Sequence, residues 1–378
     1  MADVQGTCDA RFERVREAFA ANLDQGLDVG ASVAVTIAGQ PVVDLWGGST
    51  DAEGTTPWQR DTIINVWSTT KTMTALCALV LADRGEIDLH APVARYWPEF
   101  SANGKEGVEV RHLLAHTAGL PGWDVPMTPE DFEDWERCTS LLAKQAPWWE
   151  PGTASGYHAL TQGYLVGEVV RRVSGRTLGT FFRQELAEPL GADFHIGLDA
   201  EHDSRVALVI PPPPMTGLED LDPDSIAVRA FANSPLDAEW SWTEGWRRAE
   251  IPAAGGTGNA RSVARVQSVL SNLGEIDGHR YLSEAGCRAV FEEQSNGVDL
   301  VLGTPVRFGM GYGLPTPEVP IGGESACFWG GWGGSLVVND LDTRMTFAYV
   351  MNRMGDGTVG DQRGGALLFA TYAALGQV

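Results

Sequence analysis

The sequence predicts a discontinuous α/β domain interrupted by a mainly helical insertion. Three observations predict it. Strand-forming segments fall near both ends of the 378-residue chain, helix-periodic segments fill its middle, and no internal repeat or low-complexity tract divides it. Residues 1–80 and 255–378 are assigned to the α/β part and residues 81–254 to the helical part. The length suits one large domain or two intimate ones.

In chain order, Phe12, Val15, Phe19 and Leu23 recur at helical spacing with charges between them, which predicts an amphipathic first helix. Two strands follow, 31–38 and 41–46, with Gly39-Gln40 read as the hairpin turn. An apolar helix is expected over 68–84, ended by Gly85. The middle carries periodic segments at 129–144, 160–173 and 178–190, the last two parted by Ser174-Gly175. Pro211 to Pro214 reads as a stiff extended connector. A helix over 261–273 precedes short strands at 308–314, 326–329, 335–339 and 345–351, and a helix over 361–375 closes the pattern.

Composition narrows the function. Hydrophobic residues make up 43% and charged residues 20%, as in a folded globular protein. A formal net charge of −23 repels phosphate backbones and anionic lipid, which argues against nucleic-acid and membrane partners. The five cysteines form no CxxC pair and are odd in number, the pattern of free thiols in a reducing compartment. Residues 1–10 lack a basic and an apolar secretory region, and the apolar runs are too short to span a bilayer, so a cytoplasmic location is expected.

The chemistry concentrates in three segments. Ser68-Thr69-Thr70-Lys71 puts a hydroxyl and an amine three apart, on one face of the expected helix. A hydroxyl is a weak nucleophile and needs a base beside it. A lysine serves if burial and the positive end of a helix lower its pKa. Alone, the spacing also fits a helix cap followed by a solvated lysine. Second, Tyr157 follows Glu150-Pro151-Gly152, and a phenol near a lysine can pass a proton from nucleophile to leaving group. Third, Trp329-Gly330-Gly331-Trp332 enters a strand. Its glycines admit a ligand close to the backbone, and Trp332 offers an N–H to an oxyanion.

Together with Leu113-Leu-Ala-His116-Thr-Ala-Gly-Leu120, the order of these segments resembles the serine β-lactamase-like superfamily, in particular class C β-lactamases and family VIII carboxylesterases. The resemblance covers nearly the whole chain. It implies a β-lactamase/transpeptidase-like fold, an antiparallel sheet flanked by helices with an all-helical insertion and the site in the cleft between. It implies Ser68 as the acylated nucleophile, Lys71 and Tyr157 as joint base and acid, and the N–H groups of Ser68 and Trp332 as the oxyanion hole. No cofactor or metal is implied, and a homo-oligomer is left open.

Two departures bear on the substrate. Lactam-cleaving relatives carry Asn two residues after the tyrosine and Lys or His at the start of the third motif. Here Ala159 and Trp329 stand there. Losing both polar anchors favours a neutral ester, so a small-molecule carboxylic ester is expected. Trp329, Gly330, Gly331, Trp67 and His158 are the expected substrate contacts. Other tryptophans near the motifs (Trp123, Trp148, Trp149, Trp240, Trp242 and Trp246) are candidates for pocket walls. An amidase, D-aminopeptidase or lactamase-like hydrolase, or an acyltransferase, would use the same three groups. His112 and His116 have zinc-like spacing but lack the base Glu and a third ligand. No GxSxG elbow is present, which argues against an α/β-hydrolase.

Overall fold

The structure is a computed structural model, and it describes residues 3–214, 222–357 and 360–376. Its centre is a six-stranded antiparallel sheet. We number the strands β1 (Val4–Cys8), β2 (Gly30–Ile37), β3 (Gln40–Gly48), β4 (Ala326–Gly330), β5 (Leu336–Asp340) and β6 (Met345–Met351). Their spatial order is β1-β3-β2-β6-β5-β4, so the two ends of the chain meet at the β2–β6 pairing, where Met345 faces Ile37 and Met351 faces Ala31.

Both faces of the sheet are covered, which is why β2 and β6 read as nearly continuous apolar runs rather than as alternating ones. On one face lie α1 (Glu13–Asp24) and the C-terminal helix (Gln362–Leu375). Phe12, Val15, Phe19 and Leu367 pack there on Val33, Val35, Phe347 and Tyr349. The helix Ala260–Ser271 packs on the other face, over β2, β5 and β6. The paired Ala34 and Ala348 point that way, and their small side chains admit the helix closely.

The sequence-based expectations differ from the structure at identifiable places. The edge strand β1 was not expected. It is polar and mostly exposed, and Gly6 sits at φ +103, so no alternation marks it. The hairpin turn is Ala38-Gly39 and not Gly39-Gln40. Both residues have positive φ (49° and 76°), as a two-residue turn matching strand twist demands. The 129–144 segment is two helices, Pro129–Glu133 and Trp135–Lys144, because Asp134 leaves the helical region and caps the second. The 178–190 segment is helical throughout but widens to a π turn over Arg183–Ala187. The 308–314 segment is not one strand. Pro305–Phe308 forms a separate hairpin with Ser295–Val298, and the chain then turns back so that Gly313 bridges Phe328.

The helix that carries the candidate nucleophile is α2 (Thr70–Asp83), preceded by a 3₁₀ turn over Trp67–Thr69. Every residue from Thr70 to Leu81 is buried, so this helix is enclosed on all sides, and its polar residues Thr70, Lys71, Thr72 and Thr74 must find partners within the protein. It packs against α3 (Thr161–Ser174) of the middle region. Ile64–Asn65, just before the turn, pairs with Thr257–Gly258, which in turn pairs with Phe194–His195. This small three-stranded sheet ties the start of α2 to the 252–258 segment.

Candidate active site

Three threonines fasten the first turns of α2. Thr69 Oγ1 lies 2.9 Å from Ser335 Oγ, and Ser335 Oγ donates to the Val66 carbonyl at 2.9 Å. Thr70 Oγ1 donates to the Trp67 carbonyl and accepts the Gly256 N–H. Thr74 Oγ1 donates to the Pro252 carbonyl at 2.7 Å. Trp67, at φ +50, bends the chain into the helix, and the surrounding bonds hold that costly conformation. Its ring packs against Trp246 and Trp332, with centroids 5.7 and 5.1 Å away.

The structure brings Ser68, Lys71 and Tyr157 together. Lys71 Nζ lies 3.1 Å from Ser68 Oγ, and the Tyr157 hydroxyl donates to the same Oγ at 2.7 Å. Lys71 Nζ also donates to the carbonyls of Ala159 (2.7 Å) and Ala253 (3.0 Å), and it stands 4.8 Å from the Tyr157 ring centroid. Ala253 reaches it because α3 carries Gly163 at the contact. A Cβ there would stand 2.3 Å from the Ala253 nitrogen.

Lys71 is fully buried with no carboxylate partner among the described residues, and that burial holds its ammonium well below its usual 10.5. Burial likewise raises the Tyr157 phenol well above 10, against the smaller opposing pull of its contact with Ser68. Both groups are therefore driven to their neutral forms. A neutral amine has two N–H bonds and one lone pair. The two carbonyls take the N–H bonds, which leaves the lone pair facing Ser68 Oγ. Tyr157, as a phenol, completes the chain by donating to Oγ.

Beside this triad the backbone is open. The Ser68 N–H lies in the first turn of its helix, where no intrahelical acceptor exists, and neither it nor the Trp332 N–H bonds to an acceptor among the described residues. Gly331 lies against Ser68. A Cβ at Gly331 would stand 2.4 Å from the Val66 oxygen and 3.3 Å from the Ser68 nitrogen, so any larger residue would push the two N–H groups apart.

Trp329 is 4% exposed and lines a cavity of about 320 Å³ together with Tyr157, Leu302, Val306, Phe308 and Leu314. Its indole N–H is near the Tyr157 hydroxyl but makes no hydrogen bond of good geometry. Two expected substrate contacts stand elsewhere. Trp67 is buried beneath the site as packing for Trp332. His158 faces no cleft. Its Nε2 accepts the Leu120 N–H at 3.1 Å, its Nδ1 lies 2.5 Å from the Gly156 carbonyl, and burial pushes it down to about 3, so it is a neutral strut behind Tyr157.

Reading the sequence missed four contributors. His116 packs on Tyr157 at 5.0 Å and stacks on Trp329 at 5.3 Å, and its Nδ1 accepts the His158 N–H. Its partner at zinc-like spacing, His112, instead accepts the Glu109 N–H, so the two histidines act separately. Buried Asp299 accepts the N–H groups of Tyr157, Val301 and Leu302 on one carboxylate oxygen, fixing the Tyr157 backbone to the cavity wall. The carbonyls of Ala159 and Ala253 carry no side-chain signature. For His116 a signal existed in the LLAHTAGL segment, but for Asp299 nothing in the local sequence marks it.

Comparison with known proteins identifies the family. Residues 19–371 match the beta-lactamase family. The chain is 38% identical over 376 residues to "Esterase/beta-lactamase LipL" of Mycobacterium tuberculosis, covering 93% of this chain and 83% of that one. Among solved structures it is similar to a family VIII carboxylesterase (42% identity, TM-score 0.93, 98% of this chain and 100% of that one). It is also similar to a penicillin-binding protein homologue from Caulobacter crescentus (39%, TM-score 0.92, again 98% and 100%). The chain belongs to the beta-lactamase family.

Proposed function

We propose that this protein is a serine carboxylesterase that hydrolyses small to medium carboxylic esters through an acyl-enzyme on Ser68. The observation that carries the reading is the position of Ser68 Oγ between Lys71 Nζ at 3.1 Å and the Tyr157 hydroxyl at 2.7 Å, with the other two Nζ contacts taken by carbonyls.

The chemistry follows from that geometry. Lys71 accepts the Ser68 proton as Oγ adds to the ester carbonyl. The carbonyl oxygen becomes an anion and takes hydrogen bonds from the N–H groups of Ser68 and Trp332. As the C–O bond to the alcohol breaks, Tyr157 gives its proton to the departing oxygen, and the proton held by Lys71 returns to Tyr157. A water then adds to the acyl carbon, losing its proton through the same pair, and Ser68 regains its own as the acid leaves.

Trp329 and Ala159, where lactam-cleaving relatives have cationic and amide side chains, support an uncharged ester over a β-lactam. The two similar proteins described as esterases support the same reading. Among the described residues no helix is long and apolar enough to cross a membrane. The unpaired thiols support a reducing, cytoplasmic setting. The test is labelling with a fluorophosphonate. Wild type should carry one phosphonyl adduct, on Ser68, and the folded Ser68→Ala variant none. An adduct elsewhere, or undiminished labelling of Ser68→Ala, contradicts the reading.

A further inference from the structure

We infer that the apolar cavity of about 320 Å³ beside Tyr157 receives the alcohol half of the ester and not its acyl chain, and that it selects an uncharged, ring-sized or branched alcohol. This rests on the esterase reading above and adds the side of the scissile bond to which the specificity pocket belongs.

When Oγ adds to the carbonyl carbon, the oxygen turns to the Ser68 and Trp332 N–H groups, and the acyl carbon and alkoxy oxygen point to opposite sides. The alkoxy oxygen must take a proton as it leaves. Lys71 has its two other N–H directions tied to the carbonyls of Ala159 and Ala253, so the donor able to reach that oxygen is the Tyr157 hydroxyl. The alkoxy oxygen therefore lies on the Tyr157 side. Of the groups that act on the ester, Tyr157 lines the cavity, whereas Ser68, Lys71 and Trp332 do not.

A second observation agrees. The Trp329 indole N–H is buried in the same wall with no acceptor among the described residues. A buried donor without a partner is costly, and an alkoxy oxygen delivered to Tyr157 would meet it. Most of the remaining lining, including Leu302, Val306, Phe308 and Leu314, is apolar; Thr304 and Thr316 add hydroxyls, and the Arg307 guanidinium in the same wall already donates to Glu293 and the Pro315 carbonyl, so a charged alcohol would lose its hydration with little compensation. A volume of about 320 Å³ is at the small end for ligand pockets, which suits one ring or a short branched chain.

The experiment compares kcat/KM for three esters, methyl butyrate, benzyl butyrate and methyl octanoate, in wild type and in Val306→Trp. Val306 is partly exposed, so the substitution fills the cavity without disturbing the core. Leu302→Trp, from the other wall, serves as the second variant. The benzyl-to-methyl ratio should fall about 10-fold or more, and the octanoate-to-butyrate ratio should move less than about twofold. A fall in the octanoate ratio instead would put the acyl chain in the cavity and overturn the proposal. No change in either ratio would overturn it too, because the substrate would not enter. Turnover that is equal in wild type and Ser68→Ala would overturn the esterase reading itself, which the two ratios do not test.

Discussion

Two of the chain's three lysines are wholly buried, and they do different things. Lys71 Nζ binds the carbonyls of Ala159 and Ala253 and lies near an aromatic ring, that of Tyr157. Lys105 Nζ binds the carbonyls of Ala102 and Gln145 and lies near the ring of Phe100. Among the described residues neither has a carboxylate partner at salt-bridge distance, and burial lowers both, Lys71 well below its usual value and Lys105 to about 8. The difference is the third direction. At Lys71 it meets Ser68 Oγ, itself bonded to a phenol; at Lys105 no hydroxyl among the described residues takes that place. A buried, carbonyl-capped amine is thus a clamp between segments, and it becomes a base only where its lone pair meets an acidic proton. Burial and a lowered pKa do not by themselves identify a catalytic lysine.

The comparison can be broken at either lysine. Lys71→Met should lower kcat/KM by about 10³-fold or more, since it removes the base of a unit whose members act together. Steady-state kinetics on purified, folded variant checks it. Tyr157→Phe should cost about 10²–10³-fold, because the leaving oxygen loses its donor while Lys71 still activates Ser68. Lys105→Met should leave kcat/KM within about threefold and destabilise the fold by about 1–3 kcal/mol, through two carbonyls left unpaired, as urea unfolding would measure. A large loss of activity in Lys105→Met would erase the distinction drawn between the two.

The pH dependence sharpens the same contrast. The rising limb of kcat/KM should follow loss of the Lys71 proton and stand well below 10.5, and the fall should come above 10, as Tyr157 ionises. Lys105 should appear in stability instead. Its folded pKa of about 8 lies below the unfolded value of 10.5, so between those values the unfolded chain holds a proton that the folded chain has lost. Stability then rises with pH through that window, and the rise should be smaller in Lys105→Met.

Much of this was legible in the sequence because local rules and global fold agree there. The strand runs at 31–37 and 345–351, the helix after Ser68 and the Ser68–Lys71 spacing all carry their meaning in a few neighbouring residues. The rest depends on contacts between distant segments. Asp299 finds the Tyr157 N–H across 142 positions, and the Ala253 carbonyl reaches Lys71 across 182. His158 was expected at the substrate because it adjoins Tyr157 in sequence. Yet its backbone turns the ring away from the cleft, toward Leu120 and Gly156, and His116 takes the place beside Tyr157. The edge strand β1 is polar because only its backbone is needed.

The most direct test of the central claim is kcat/KM for p-nitrophenyl butyrate in wild type and Ser68→Ala, measured side by side on protein shown to be folded. Wild type should turn the ester over strongly, and Ser68→Ala should lose about 10³-fold or more. Undiminished turnover by folded Ser68→Ala would contradict it.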